Sequence, residues 1–173
     1  MLLNTVTIEQ KPNQLQAKRM DPTANEGVSA FSGLKYFRAL MEGSIARSAM
    51  LELFDITIEA AEPGFVALTA LPTAEHYNPL GFVHGGYAAV LLDTCMAAAI
   101  VTSLEPGLSP MTLEYKINFT RPMSADTGVV RGEGKTLHVG RQMAIAEGRL
   151  VDANGRLLAH GTTTCHLVRQ GVS

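Results

Sequence analysis

Asn78-Pro79-Leu80-Gly81-Phe82-Val83-His84-Gly85-Gly86-Tyr87-Ala88-Ala89-Val90-Leu91-Leu92-Asp93 is the stretch from which the rest of this 173-residue chain can be read. It begins as a polar turn, opens a helix on two glycines and then sets one carboxylate among apolar residues. Stripping water from an isolated charge costs several kcal/mol in practice, so such a carboxylate is hydrated, paired or kept for chemistry. Gly85, at the expected helix start, offers an unpaired backbone N–H at the positive end of the helix dipole, a ready donor for a developing oxyanion.

Working outward, the helix is expected over residues 84–103, apolar nearly all round and therefore enclosed. Before it, Phe31, Leu34, Phe37, Leu40 and Met41 recur at three- and four-residue steps, which predicts an amphipathic helix from Ser29 to about Gly43. Leu51 to Ala60 and Phe65 to Leu71 read as two strands around the turn at Pro63-Gly64. The second is apolar on both parities, so it is expected to be covered on both faces, which one helix cannot do. A partner subunit is the expectation.

After the helix, Met111-Thr112-Leu113-Glu114-Tyr115-Lys116-Ile117-Asn118-Phe119 alternates, placing Met111, Leu113, Tyr115, Ile117 and Phe119 on one face and Thr112 on the polar one. Strands are expected near 127–138, 141–152 and 156–168, the last two joined by the hairpin signal Asp152-Ala153-Asn154-Gly155. Short connections of this kind make an antiparallel sheet, so the fold class is α+β: a long antiparallel sheet around one enclosed central helix. Residues 1–28, polar and unpatterned, read as a flexible N-terminal arm ahead of one domain over 29–170.

Formal net charge is −2 with acids and bases interspersed, so no basic stripe marks a nucleic-acid partner. Between His76 and Leu104 the only formally charged residue is Asp93, but Asn78-Pro79, His84-Gly85-Gly86 and Asp93 interrupt the run before it reaches the roughly 20 apolar residues of a membrane span. The start of the sequence lacks a signal-peptide pattern. Cys95 and Cys165 fall in stretches read as buried helix and buried strand, so both are expected as free thiols and the cytoplasm as the compartment. His160 and His166, six residues apart on one strand, are too distant to share a metal, and no metal site is expected.

The motif Asn-Pro-x-Gly-x-x-His-Gly-Gly, with an aspartate seven residues after the last glycine, resembles that of the PaaI-like acyl-CoA thioesterases of hotdog fold; Gly140-Arg141 and the Asp-Ala-Asn-Gly hairpin support the likeness. The resemblance implies an antiparallel sheet wrapped around a central helix, and hydrolysis of an aryl- or medium-chain acyl-CoA with no cofactor. It also implies a homodimer or a dimer of dimers, in which the aspartate faces the glycine and asparagine of the other subunit. Carried over to this chain, Asp93 is general base or nucleophile, and the Gly85 N–H is the oxyanion donor. Asn78 helps hold the water or the thioester carbonyl, His84 orients the loop, and Thr112 matches a position that can help place the water. In a related arylthioesterase group the acid is Glu with Thr one turn later, where this chain has Ala97, so the aspartate type is favoured. Gly86, Gly140, Arg141 and Lys135 are the substrate-binding candidates, Arg141 as a clamp for a CoA phosphate with Lys135, Arg121 and Arg131 behind it.

Two other functions fit the same fold. An acyl-thioester hydratase or dehydratase needs a histidine base, typically as Asp-x4-His, and none of the five histidines has Asp five residues before it. A non-catalytic acyl-CoA-binding protein would have no use for Asn78, Gly85 and Asp93 together.

Overall fold

Ser48 decides how the chain approaches its first strand. Its hydroxyl accepts from the Leu51 N–H and caps a short helix, so the segment expected to start a strand at Leu51 starts as helix instead. Asp55 then takes a left-handed conformation (φ 49°) and turns the chain into its first strand at Thr57. A computed structural model describes residues 33–169. The arm read over 1–28 and the start of the helix read from Ser29 lie outside them.

The elements are α1 (Gly33–Met41), α2 (Ala49–Leu53), β1 (Thr57–Glu62), β2 (Phe65–Ala70), α3 (Gly85–Val101), β3 (Leu108–Phe119), β4 (Val130–Val139), β5 (Met143–Asp152) and β6 (Leu157–Arg169). The six strands form one antiparallel sheet in the order β1-β2-β4-β5-β6-β3. It wraps α3, which packs against β2, β3, β4, β5 and β6. This is the hotdog fold expected from the sequence.

The helix sits close because β4 and β5 carry glycines beneath it. A Cβ on Gly134 would stand 2.0 Å from the Cys95 carbonyl oxygen, and one on Gly148 would stand 2.7 Å from Met96 Cγ. Leu91, Leu92, Cys95, Met96 and Ile100 thereby reach full burial against Val66, Leu68, Val130 and Leu150. Both cysteines are free and buried. Among the described residues no helix is long and apolar enough to cross a membrane.

Two expectations about strand faces change. On β2, Val66, Ala67 and Leu68 are all fully buried within the single chain. Ala67, on the face away from α3, lies beside Glu133, which belongs to an ion-pair network of Glu59, Arg131, Glu133 and Arg149 across the strands. Double burial of this strand therefore needs no second subunit.

On β3, a bulge between Thr112 and Glu114 breaks the alternation. Thr112 pairs with the buried Cys165, Tyr115 with the buried Thr163 and Phe119 with the buried Ala159, whereas Met111 pairs with His166. Thr112 thus shares the helix-side face with Tyr115, Ile117 and Phe119. The strand is an edge of the sheet, and Met111, Leu113, Tyr115 and Phe119 are 56%, 59%, 46% and 57% exposed.

Candidate active site

The turn before α3 is tied by Asn78. Its Oδ1 accepts from the N–H groups of Leu80 (2.9 Å) and Phe82 (3.3 Å), and its own N–H donates to the Phe82 carbonyl. Gly81, at φ 81°, supplies the left-handed residue this tight loop needs. With Oδ1 occupied, the Asn78 side-chain NH2 donates to nothing among the described residues.

His84 is the N-cap of α3: its Nδ1 accepts the Gly86 N–H at 2.9 Å. That bond requires an unprotonated Nδ1 and uses the amide of Gly86. A Cβ on Gly86 would sit 2.9 Å from the same Nδ1, so this glycine serves the cap. Neighbouring Gly85 differs, because its N–H has no acceptor among the described residues. Gly85 and Asn78 open into a cleft of about 340 Å³ lined also by Phe82, Phe119, Arg121 and Met123. Phe119, at the end of β3, lies against Gly85, its ring carbons 3.2–3.8 Å from where a Cβ would be.

Asp93 stands two turns further along α3 and is half-buried. Its Oδ1 accepts from Thr112 Oγ1 at 3.0 Å, and Oδ2 accepts nothing among the described residues. Thr112 reaches it because of the β3 bulge, so the residue read on the polar face is brought to the carboxylate. Cys165, across the ladder, places Sγ 3.8 Å from Thr112 Oγ1. Burial pushes the Cys165 thiol up.

The cationic candidates separate. Gly140 and Arg141 lie in the turn between β4 and β5, not at the start of a strand, and the ladder places this turn at the Asp93–Thr112 end of the sheet: Met143 shares a row with His166 and Met111. Arg141 is exposed. Arg121 lines the Asn78–Gly85 cleft. Lys135 does not join the site. It sits on the sheet face away from α3, in a groove of about 610 Å³ shared with Glu133, Glu147 and Arg149. Arg131 is held there too by Glu59 and Glu133.

Phe119 and Cys165 are contacts that sequence reasoning did not find. Phe119 read only as a strand-face residue, and Cys165 meets Thr112 across 53 positions of chain. Neither carries a local signal. The capping role of His84 did have one, its place immediately before a glycine-led helix.

One helix ringed by six antiparallel strands, its unsatisfied N-terminal amide in a cleft and its carboxylate bonded to a strand hydroxyl, is the framework of a hotdog-fold thioester hydrolase. A family model described as the thioesterase superfamily matches residues 80–159, which include α3, β3, β4 and β5. Acyl-coenzyme A thioesterase 13 from Homo sapiens is 31% identical over 126 residues, spanning 70% of this chain and 86% of that protein. Proofreading thioesterase EntH from Klebsiella pneumoniae is 31% identical over 111 residues, spanning 64% and 80%. Among solved structures, a phenylacetic acid degradation-related protein from Ralstonia eutropha JMP134 is similar with a TM-score of 0.69 at 30% identity, covering 76% of this chain and 98% of its own. The chain belongs to the thioesterase superfamily and is of its PaaI-like type.

Proposed function

We propose that this thioester hydrolase acts on an aryl- or medium-chain acyl-CoA, releasing the free acid and CoA, at a site completed by a second copy of the chain. The observation that carries the reading is Asp93 held by Thr112 with its second oxygen unengaged, on a helix whose first amide, that of Gly85, is also unengaged. The name of the relative acyl-coenzyme A thioesterase 13 supports the substrate class.

The chemistry divides between the start and the middle of α3. The Gly85 N–H, aided by the Asn78 amide, receives the thioester oxygen as it gains negative charge; loss of one such donor typically raises a barrier by about 2.7–4 kcal/mol. Asp93 acts in one of two ways. As general base it takes a proton from water, the water oxygen bonds to the carbonyl carbon, the C–S bond breaks, and the proton passes to the departing CoA sulfur. As nucleophile its oxygen displaces the CoA thiolate, and water then cleaves the resulting anhydride. Neither route consumes a cofactor.

Residues 85 and 93 of one helix lie about 12 Å apart along its axis, too far to act on one carbonyl. Edge strand β3 resolves this. Antiparallel pairing of two copies centred between Tyr115 and Lys116 sets Thr112 opposite the partner subunit's Phe119, bringing Asp93 to the partner's Gly85 and Asn78. The unpaired twelve-residue edge and its exposed Met111, Leu113, Tyr115 and Phe119 suit such a contact. Arg141, at the Asp93 end, then stands ready for a CoA phosphate, and the buried free thiols fit a cytoplasmic enzyme.

The test is free-thiol release from a panel of aryl- and alkyl-CoA esters, with Asp93→Asn beside the wild type. The variant is expected to keep its fold and bind substrate but lose roughly 10²–10⁴-fold in kcat. Near-normal turnover by Asp93→Asn, or none by the wild type across the panel, overturns the reading.

A further inference from the structure

Proton accounting around Asp93 assigns a direction to each bond in its neighbourhood. A threonine hydroxyl carries one proton. Thr112 gives its proton to Asp93 Oδ1 at 3.0 Å, and Thr163 gives its own to the Glu114 carbonyl at 2.8 Å. Cys165 Sγ lies between them, 3.8 Å from Thr112 Oγ1 and 3.9 Å from Thr163 Oγ1. Both hydroxyl oxygens therefore turn lone pairs toward sulfur, and the one proton available for either contact is that of the thiol. Full burial keeps the thiol in that protonated form.

We infer that Cys165 is a positioning residue for the hydrolytic site: its S–H, donated to Thr112, holds the Thr112 hydroxyl in the rotamer that donates to Asp93, leaving Asp93 Oδ2 for the reacting water or acyl carbon. The inference rests on the proposed thioesterase mechanism. The order of donation is Cys165 to Thr112 to Asp93, a line running from the sheet core to the carboxylate. The β3 bulge is what connects it, because it turns Thr112 to the face shared by Cys165 and α3. Without the thiol, Thr112 loses the partner that fixes its torsion while keeping its backbone place in the ladder.

The experiment pairs Cys165→Ser, which keeps a donor, with Cys165→Ala, which removes it, each in wild-type and Thr112→Val backgrounds. Turnover of the acyl-CoA panel and the ¹³C shift of the Thr112 methyl, which reports its rotamer, are both read. Cys165→Ala is expected to lower kcat roughly three- to ten-fold, the size of effect one intramolecular hydrogen bond carries, with KM nearly unchanged. Cys165→Ser is expected to stay within about two-fold of wild type, and Cys165→Ala is expected to cost nothing further once Thr112 is Val, because the two act as one unit. In the single variants the methyl shift should be displaced in Ala and restored in Ser. Equal losses in both backgrounds mean that Cys165 only packs, and overturn the inference. An unchanged methyl shift in Cys165→Ala overturns it as well. Should the wild type hydrolyse no ester of the panel, the proposed function fails, and the methyl shifts still decide whether the thiol positions Thr112.

Discussion

Gly85 and Asp93 share one helix yet stand about 12 Å apart along its axis, eight residues at 1.5 Å each. A donor and a carboxylate so separated cannot serve the same thioester within one chain. If sites form across subunits, two inactive variants, one altered in the loop before α3 and one at the middle of α3, must rescue each other. Asn78→Asp suits the purpose, since it keeps the oxygen that holds Leu80 and Phe82 and replaces the NH2 donor with a charged acceptor oxygen. Random reassociation of equal amounts of Asn78→Asp and Asp93→Asn makes half the dimers mixed, each with one intact site, so about a quarter of wild-type activity is expected. Activity that stays at the level of the separate variants, or a wild-type monomer by light scattering, counts against the shared site.

Arg141 tests the nucleotide end of the substrate. A phosphate contact is made equally in ground and transition states, so Arg141→Ala should raise KM for the CoA ester while kcat stays near normal. The expected loss in kcat/KM is roughly ten-fold at low salt, shrinking as salt rises, because the side chain is exposed and screened. An N-acetylcysteamine ester, which lacks the nucleotide, should be unaffected. Equal impairment of both esters would give Arg141 a structural role and leave Arg121, in the Gly85 cleft, as the cation to examine.

Asp152 links pH to stability at the β5–β6 hairpin. Its Oδ1 accepts the N–H groups of Asn154 and Arg156 at 2.9 Å each, and its Oδ2 accepts from the Arg156 guanidinium at 2.6 Å. Desolvation works against the charge, but these bonds outweigh it and hold the carboxyl below its ordinary value of 3.8. A depressed folded-state pKa contributes stability above the ordinary value and loses it as pH falls through the folded one. Asp152→Asn should therefore lower Tm at pH 7, and the gap to wild type should close in thermal melts taken progressively below pH 3.8. A gap that is constant with pH would show that the charge plays no part.

Gly134→Ala should be among the most damaging small changes in the chain. Its Cβ would meet the backbone carbonyl oxygen of Cys95 at 2.0 Å, and a helix cannot yield there as a side-chain tip can. A loss of about 3 kcal/mol or more is expected in chemical denaturation, the upper end for overpacking. Gly132→Ala is the control: its new methyl meets the Leu68 side chain at 3.0 Å, which can shift, so a smaller loss is expected. Comparable losses would contradict close helix contact as the role of Gly134.

The sequence by itself determined what rests on neighbours a few residues apart. Asn78-Pro79, the glycine pair before α3, the apolar run around Asp93 and the Asp152-Ala153-Asn154-Gly155 hairpin are all local signals, and the turn, the central helix and the hairpin formed where they were placed, whereas the strand expected from Leu51 begins as helix. Only the tertiary structure decided which side chains meet. A single bulged residue on β3 exchanged the faces of the residues before it and carried Thr112 to Asp93, 19 positions earlier in the chain, and to Cys165, 53 positions later. Pairing of β2, β4 and β5 set Lys135 on the sheet face away from the helix and enclosed Ala67 beside a network of ion pairs. Helix and strand periodicity is fixed by backbone geometry that every residue shares, whereas the register between strands is settled by packing across the whole sheet, and a one-residue change in it exchanges every face beyond.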